Sequence, residues 1–156
     1  MSRLYILIRN DLPSLNPGKA VAQASHAVSQ FMTKFPKESK KWCSEADGFG
    51  TTITLEGELN DIQNFMAHTV YHKGFCCGDI EDPTYPFYLQ KEIIPYLDPQ
   101  YKIEYEDPAL DSRYDTVPAT RKEYTCSWFF VENDDKEDMM EMLKEELEFH
   151  KIRLFR

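Results

Sequence analysis

Four polar side chains recur at helical spacing near the start of the chain, in the stretch NPGKAVAQASHAVSQF that covers residues 16–31. They are Lys19, Gln23, His26 and Gln30. At about 100° per residue they fall in one narrow arc of a helix. A lysine at a helix N-terminus can hold an anion, and a histidine can relay protons near neutral pH. The arc is therefore either a working polar surface or the ordinary solvent face of a helix.

The sequence around this arc predicts the helix that must carry it. Asn16 can cap the helix and Pro17 suits its first position, and Pro36 interrupts it after Phe35. The apolar residues form a second arc, made of Ala20, Val21, Ala24, Ala27, Val28, Phe31, Met32 and Phe35. We expect the polar arc to face away from the core, since the apolar arc lies opposite. The helix follows a short apolar strand at residues 3–9, and ligands gather at such strand-to-helix junctions in open α/β sheets.

The remaining elements alternate between strand-like and helix-like patterns. Strands are predicted at 50–57, 75–80 and 125–133, and helices at 37–47, 58–74 and 134–151. Strands that alternate with helices predict an α/β fold, a sheet with helices on both faces.

Charge and composition narrow the functional classes. The net charge of −9 argues against nucleic acid as a partner. Residues 1–41, however, hold seven Lys and Arg against two Asp and Glu, and this segment could attract a polyanion or simply be a solvated face. The four cysteines show no C-x-x-C spacing, so we expect no zinc site. No apolar run approaches the roughly 20 residues that cross a bilayer, so we expect a soluble cytoplasmic protein.

The segment 83–124 differs from the rest of the chain. It holds seven of the nine tyrosines and six of the nine prolines, and its periodicity is poor. We expect an ordered excursion from a single domain that covers residues 1–156, because exposing so many aromatics is unfavourable. Its tyrosines could stack on the terminal bases of a nucleic acid beside the cleft of Lys19 and Asp82, or only pack the excursion onto the domain.

The beginning of the chain resembles a known family. The stretch LYILIRNDLPSLNPGKAVAQASHA, residues 4–27, is similar to the N-terminal signature of the archaeal and eukaryotic type of peptidyl-tRNA hydrolase. That family opens with a strand, then R-x-D-L, a short loop and G-K-x-A-A-Q-x-x-H-A. The matching positions are Arg9, Asp11, Leu12, Gly18, Lys19, Ala22, Gln23, His26 and Ala27. Further along, IED at residues 80–82 resembles the I-R-D of the family, which places Asp82 at the catalytic aspartate.

The resemblance implies a three-layer α/β fold with a four-stranded mixed sheet. It implies hydrolysis of the ester that joins a peptide to the terminal ribose of tRNA, with peptidyl-tRNA as partner and with no metal or cofactor. No membrane partner is expected. Whether the chain forms a homodimer is left open. The implied catalytic residues are Lys19, Asp82 and His26, and the implied substrate-binding residues are Gln23, Asn16, Arg113 and Thr116.

One departure from the family affects the catalytic aspartate. The family passes from that aspartate into A-G-R-T-Q-I-x-P-G-T, whereas here an insertion before the last strand intervenes. A similar motif, DSRYDTVPAT, follows at residues 111–120 and supplies Arg113 and Thr116. Its first residue, Asp111, is a second candidate for the catalytic aspartate. We favour Asp82, because it directly follows the strand predicted at 75–80.

Two alternatives to a peptidyl-tRNA hydrolase stay open at this stage. The same fold could be a catalytically inactive module that binds RNA or protein, which the acidic composition and the interrupted aspartate motif favour. The chain could also be an esterase that acts on small aminoacyl esters. Lys19, Gln23 and His26 favour the enzyme.

Overall fold

The fold is α/β with a mixed sheet, as the sequence predicts. A computed structural model describes residues 1–132 and 137–156, and in this part of the chain the sheet has six strands instead of the expected four. The strands are β1 (Arg3–Arg9), β2 (Thr51–Gly57), β3 (Cys76–Gln90), β4 (Glu104–Tyr105), β5 (Thr116–Val131) and β6 (Arg153–Leu154). The α-helices are α1 (Pro17–Lys34), α2 (Pro36–Ser44), α3 (Leu59–Phe65), α4 (Tyr71–Lys73) and α5 (Glu137–Phe149). A π-helical turn, Met66–Val70, joins α3 to α4.

The strand order is β3-β5-β1-β2-β6, and β4 pairs with β5 outside this path. Strand β1 runs parallel to β2 and antiparallel to β5, and β6 runs antiparallel to β2. The two strands beyond the expected four are β4 and β6, which have two residues each. The count of four is therefore wrong because two short pairings extend the sheet.

Helices cover both faces of the sheet. On one face, the ring of Phe31 from α1 lies 5.4 Å from the ring of Trp128 and 4.8 Å from that of Phe130. On the other face, Phe129 lies 5.6 Å from Phe65 of α3. Successive residues of β5 thus contact different helices, because side chains of a strand alternate between its faces.

Several predicted boundaries agree closely with the structure, whereas two strands are much longer than predicted. Helix α1 ends at Lys34, one residue before the predicted end, and Gly74 ends α4 in the left-handed conformation with a φ of 74°. The strand predicted at 75–80 extends to Gln90. The strand predicted at 125–133 begins earlier, at Thr116. The predicted end of the last strand and start of the last helix, at 133–136, lie outside the described residues.

The chain divides into two compact units, Met1–Ile80 with Thr125–Arg156, and Glu81–Tyr124. The second unit, which holds the segment 83–124, has its own apolar core. That core contains the buried residues Phe87, Leu89, Val117 and Ala119. Regular structure is thus present despite the poor periodicity, while the single domain and the placement of the segment beside Lys19 and Asp82 stay predictions. Across the described residues, no helix is long and apolar enough to cross a membrane.

Candidate active site

The N-terminus of α1 is built as the sequence predicts. Asn16 is extended, with a φ of −142° and a ψ of 169°, and its side-chain oxygen accepts a hydrogen bond from the backbone N of Lys19 at 3.0 Å. Pro17 occupies the first turn. The Asn16 oxygen is thus engaged in capping, and the half-buried Lys19 side chain starts from the first turn, where the helix dipole favours an anion.

The expectation that the polar arc of α1 faces away from the core is wrong, because part of the arc is buried. Gln23 is buried, with 3% of its surface exposed, and its Oε1 accepts a hydrogen bond from Thr125 Oγ1 at 2.7 Å. Gln30 Oε1 accepts from Trp128 Nε1 at 2.8 Å. The arc lies at the edge of the buried face, and polar groups of β5 donate to the side-chain oxygens of both glutamines there. Only His26 of this arc is exposed.

Gly78 of β3 allows α1 to approach the sheet at this point. A Cβ atom at position 78 would lie 2.2 Å from Gln30 Oε1 and 2.8 Å from Trp128 Nε1. Such distances are far below van der Waals contact, so only glycine fits without displacing the hydrogen-bonded pair.

Arg9 and Asp11, which belong to the family motif, connect β1 to the start of α3. Arg9 is buried and its Nε donates to Asp11 Oδ1 at 2.8 Å. Asp11 Oδ2 accepts from the backbone N of Leu59 at 3.4 Å. Partial burial raises the pKa of Asp11, but the hydrogen bond and the charge of Arg9 outweigh it, so the net shift is downward. This pair therefore has a structural role at the strand-to-helix junction.

Asp82 does not follow the end of a strand, because β3 continues to Gln90. The reason given for favouring it over Asp111 is therefore wrong, and its assignment now depends on the motif alone. Asp82 is half-buried, and its Oδ1 accepts a hydrogen bond from the backbone N of Thr84 at 2.9 Å.

Asp111, Arg113 and Thr116 lie together in the second unit. The guanidinium of Arg113 donates to both carboxylate oxygens of Asp111, at 3.0 and 2.9 Å. These hydrogen bonds lower the pKa of the Asp111 carboxyl below its ordinary value. Thr116, the first residue of β5, lines a cavity together with Asp111. The ion pair with Arg113 thus explains the position of the Asp111 carboxylate. The substrate-binding roles of Arg113 and Thr116 stay predictions.

A polar cluster around Asp79 was not predicted. Its carboxylate accepts hydrogen bonds from Ser127 Oγ at 2.6 Å and from Tyr71 Oη at 2.8 Å. Burial, followed by the hydrogen bond to Asp79, raises the pKa of Tyr71 above its ordinary value. The cluster links α4 to the sheet. The signal that could have revealed it is Ser127, a polar residue inside a predicted strand, since Ser127 is fully buried and buried polar groups need partners.

The first unit offers groups suited to ester chemistry. Lys19 supplies a cation at a helix N-terminus, and the exposed His26, about two turns further along, supplies a group for proton transfer. Among the described residues, no group of three or more His, Cys, Asp or Glu could hold a metal ion.

A comparison with protein families places the first half of the chain in a known family. The family described as peptidyl-tRNA hydrolase PTH2 matches residues 2–82, which is about half of the chain and includes Lys19, His26 and Asp82. A comparison with curated proteins gave no match.

Proposed function

Since this chain belongs to the peptidyl-tRNA hydrolase PTH2 family, we propose that it hydrolyses the ester bond between a peptide, or an N-blocked amino acid, and tRNA. Water attacks the ester carbonyl, the bond to the ribose oxygen breaks, and the products are a free carboxylic acid and a tRNA with its terminal hydroxyl. The family match, over a segment that contains the G-K and H-A positions of α1, is the observation that carries this proposal. We further propose that the protein acts in the cytoplasm.

Ester hydrolysis needs an activated water, a stabilised oxyanion and a positioned substrate. In this proposal Asp82 orients the water or accepts its proton. Lys19 stabilises the negative charge that develops on the carbonyl oxygen, or binds a phosphate of the tRNA end. His26, exposed on α1, relays protons or contacts the tRNA end.

Gln23 has a different part in this proposal. Because it is buried and bonded to Thr125 of β5, it positions α1 and thereby Lys19 and His26. Its loss would shift α1 and lower activity indirectly, through both binding and turnover.

The charge distribution supports a contact with tRNA at the N-terminal segment. Residues 1–41 have a local balance of +5, from seven basic and two acidic residues, in a chain whose net charge is −9. Phosphate groups would be attracted there and repelled elsewhere.

The test is to incubate the full chain with an N-acetylated aminoacyl-tRNA and to measure the free tRNA that is released. A free aminoacyl-tRNA and a small N-acetylated amino acid ethyl ester serve as comparison substrates. The proposal expects multiple turnovers on the N-acetylated aminoacyl-tRNA and much slower release from the small ester. Binding of the tRNA without release would instead identify an inactive module, and equal rates on the small ester would identify a general esterase.

A further inference from the structure

The second unit contains an open cavity of about 580 Å³. Tyrosine, aliphatic and carboxylate side chains line it together, among them Tyr88, Tyr114, Leu110, Val117, Glu106 and Asp107. A volume of this size accommodates one or two side chains of a bound peptide or a small ligand. All of these residues belong to Glu81–Tyr124, so the cavity is a feature of this unit alone.

Large apolar groups around this cavity are exposed. Leu110 is 77% exposed, Tyr88 68% and Tyr114 60%. Single exposed apolar residues are common, but three that line one cavity form a patch of the kind that binds a partner. Tyrosine is also enriched in protein interfaces, where it contributes a large contact area and a polar end.

The charge around the cavity excludes a polyanion. Residues 104–115 contain five Asp and Glu against one basic residue, Arg113. Arg113 is itself paired with Asp111 at 2.9 Å, and the ammonium of Lys91 donates to the backbone oxygen of Asp111, so both cations are engaged at Asp111 and leave little positive charge for a phosphate. Within the part of the chain that the structure describes, the Glu106 carboxylate makes no hydrogen bond or ion pair. Such a surface repels an RNA backbone and attracts lysine and arginine.

A cation already lies over one of the aromatic rings that line the cavity. The guanidinium carbon of Arg113 is 5.6 Å from the centroid of the Tyr114 ring, which is within the range of a cation–π contact. The electron-rich faces of Tyr88 and Tyr114 therefore suit cationic side chains, and the exposed Leu110 suits an apolar residue next to them.

We propose that this cavity docks an arginine- and lysine-rich segment of a partner protein. One cationic side chain of the segment packs against Tyr88 and pairs with Glu106, and an apolar neighbour covers Leu110. The stacking of the tyrosines on tRNA bases, considered from the sequence, is not favoured here, because a nucleic acid would meet the acidic segment 104–115. The proposal is independent of the catalytic residues Lys19, Asp82 and His26, none of which lines the cavity, but it assigns Thr116, which does line it, to the partner protein instead of to tRNA.

The test uses the full chain and a fluorescein-labelled peptide of twelve residues, with alternating arginine and leucine. Binding is followed by fluorescence anisotropy. The double variant Tyr88→Thr with Glu106→Gln removes the aromatic ring and the carboxylate from the cavity. The matched control is Tyr96→Thr with Glu104→Gln, because both residues are exposed, belong to the same unit and do not line the cavity.

We expect the cavity variant to weaken peptide binding on the order of tenfold, from one cation–π contact and one ion pair together. The control variant should change it less than twofold. A peptide with glutamate in place of arginine and a single-stranded RNA of twelve nucleotides should not compete. Absence of binding, equal effects of the two variants, or displacement of the peptide by the RNA would overturn the proposal.

Discussion

Replacement of Gln30 by methionine should destabilise the protein, although Gln30 lies in the polar arc of α1. The side-chain oxygen of Gln30 is the acceptor for the indole N–H of Trp128, which is fully buried. Methionine has a similar volume but a poor acceptor, so the indole N–H would stay buried without a good partner. Such a loss costs about 1–3 kcal/mol. The bond from Gln30 to the backbone oxygen of Asp79 is exposed and adds little. We therefore expect a loss of about 2 kcal/mol.

The assay is urea unfolding followed by far-ultraviolet circular dichroism. With a denaturant dependence of about 1–3 kcal/mol per molar, the midpoint of Gln30→Met should fall by about 1 M. Gln63→Met is the matched control, since Gln63 is an exposed glutamine of α3. Its stability should stay within about 0.5 kcal/mol of the wild type.

A double-mutant cycle separates the hydrogen bond from other effects. Trp128→Phe removes the donor, so in that background Gln30→Met should cost much less than in the wild type. If Gln30→Met were as stable as the wild type, or if its cost were the same with and without the indole, Gln30 would not serve as the acceptor for Trp128.

Three further predictions follow from the first unit. Gly78→Ala should lower stability by more than about 2 kcal/mol in the same urea assay, because its Cβ would displace the hydrogen-bonded partner of Trp128; unchanged stability would contradict the close approach of α1. Asp11→Asn should cost about 1 kcal/mol or less at pH 7. The pKa of Asp11 is lower in the folded chain than in the unfolded chain, so the carboxylate stabilises the fold above a pH of about 4, and the difference between wild type and variant should vanish as the pH falls through the folded pKa. Binding of tRNA should depend on residues 3–41 and weaken steeply between low and high salt; filter binding that is insensitive to salt would exclude a phosphate-driven contact.

The sequence predicted the elements whose signals are local. Asn16, Pro17 and Pro36 delimit α1 through capping and through the missing N–H of proline, and these effects act within a few residues. Gly74 ends the helical segment for the same kind of reason, since its φ is positive.

The full lengths of β3 and β5 were not predicted, because the segment 83–124 has poor periodicity and its prolines argue against a strand. Pro86 is exposed in β3, which lies at the end of the strand order, where a missing N–H is tolerated. A period of two was nevertheless present, because Tyr85, Phe87 and Leu89 are buried and the residues between them are exposed.

The environment of the glutamines could not be predicted from helical spacing alone. Gln23 meets Thr125, which is 102 residues away in the sequence, and Gln30 meets Trp128, which is 98 residues away. A helical wheel gives the direction of a side chain but not its partner. The wheel therefore grouped the buried Gln23 and the half-buried Gln30 with the exposed His26.

The rate at which Lys19→Ala releases free tRNA from N-acetylated aminoacyl-tRNA tests the central claim most directly. Lys144→Ala is the matched control, because Lys144 is an exposed lysine of α5 and lies outside residues 3–41. Circular dichroism should show that both variants keep the wild-type fold. The wild type and Lys144→Ala should release tRNA at similar rates, and Lys19→Ala should be slower by at least about tenfold if Lys19 stabilises charge in the transition state. No release by the wild type above the uncatalysed rate, or wild-type activity in Lys19→Ala, would contradict the proposed hydrolysis at the N-terminus of α1.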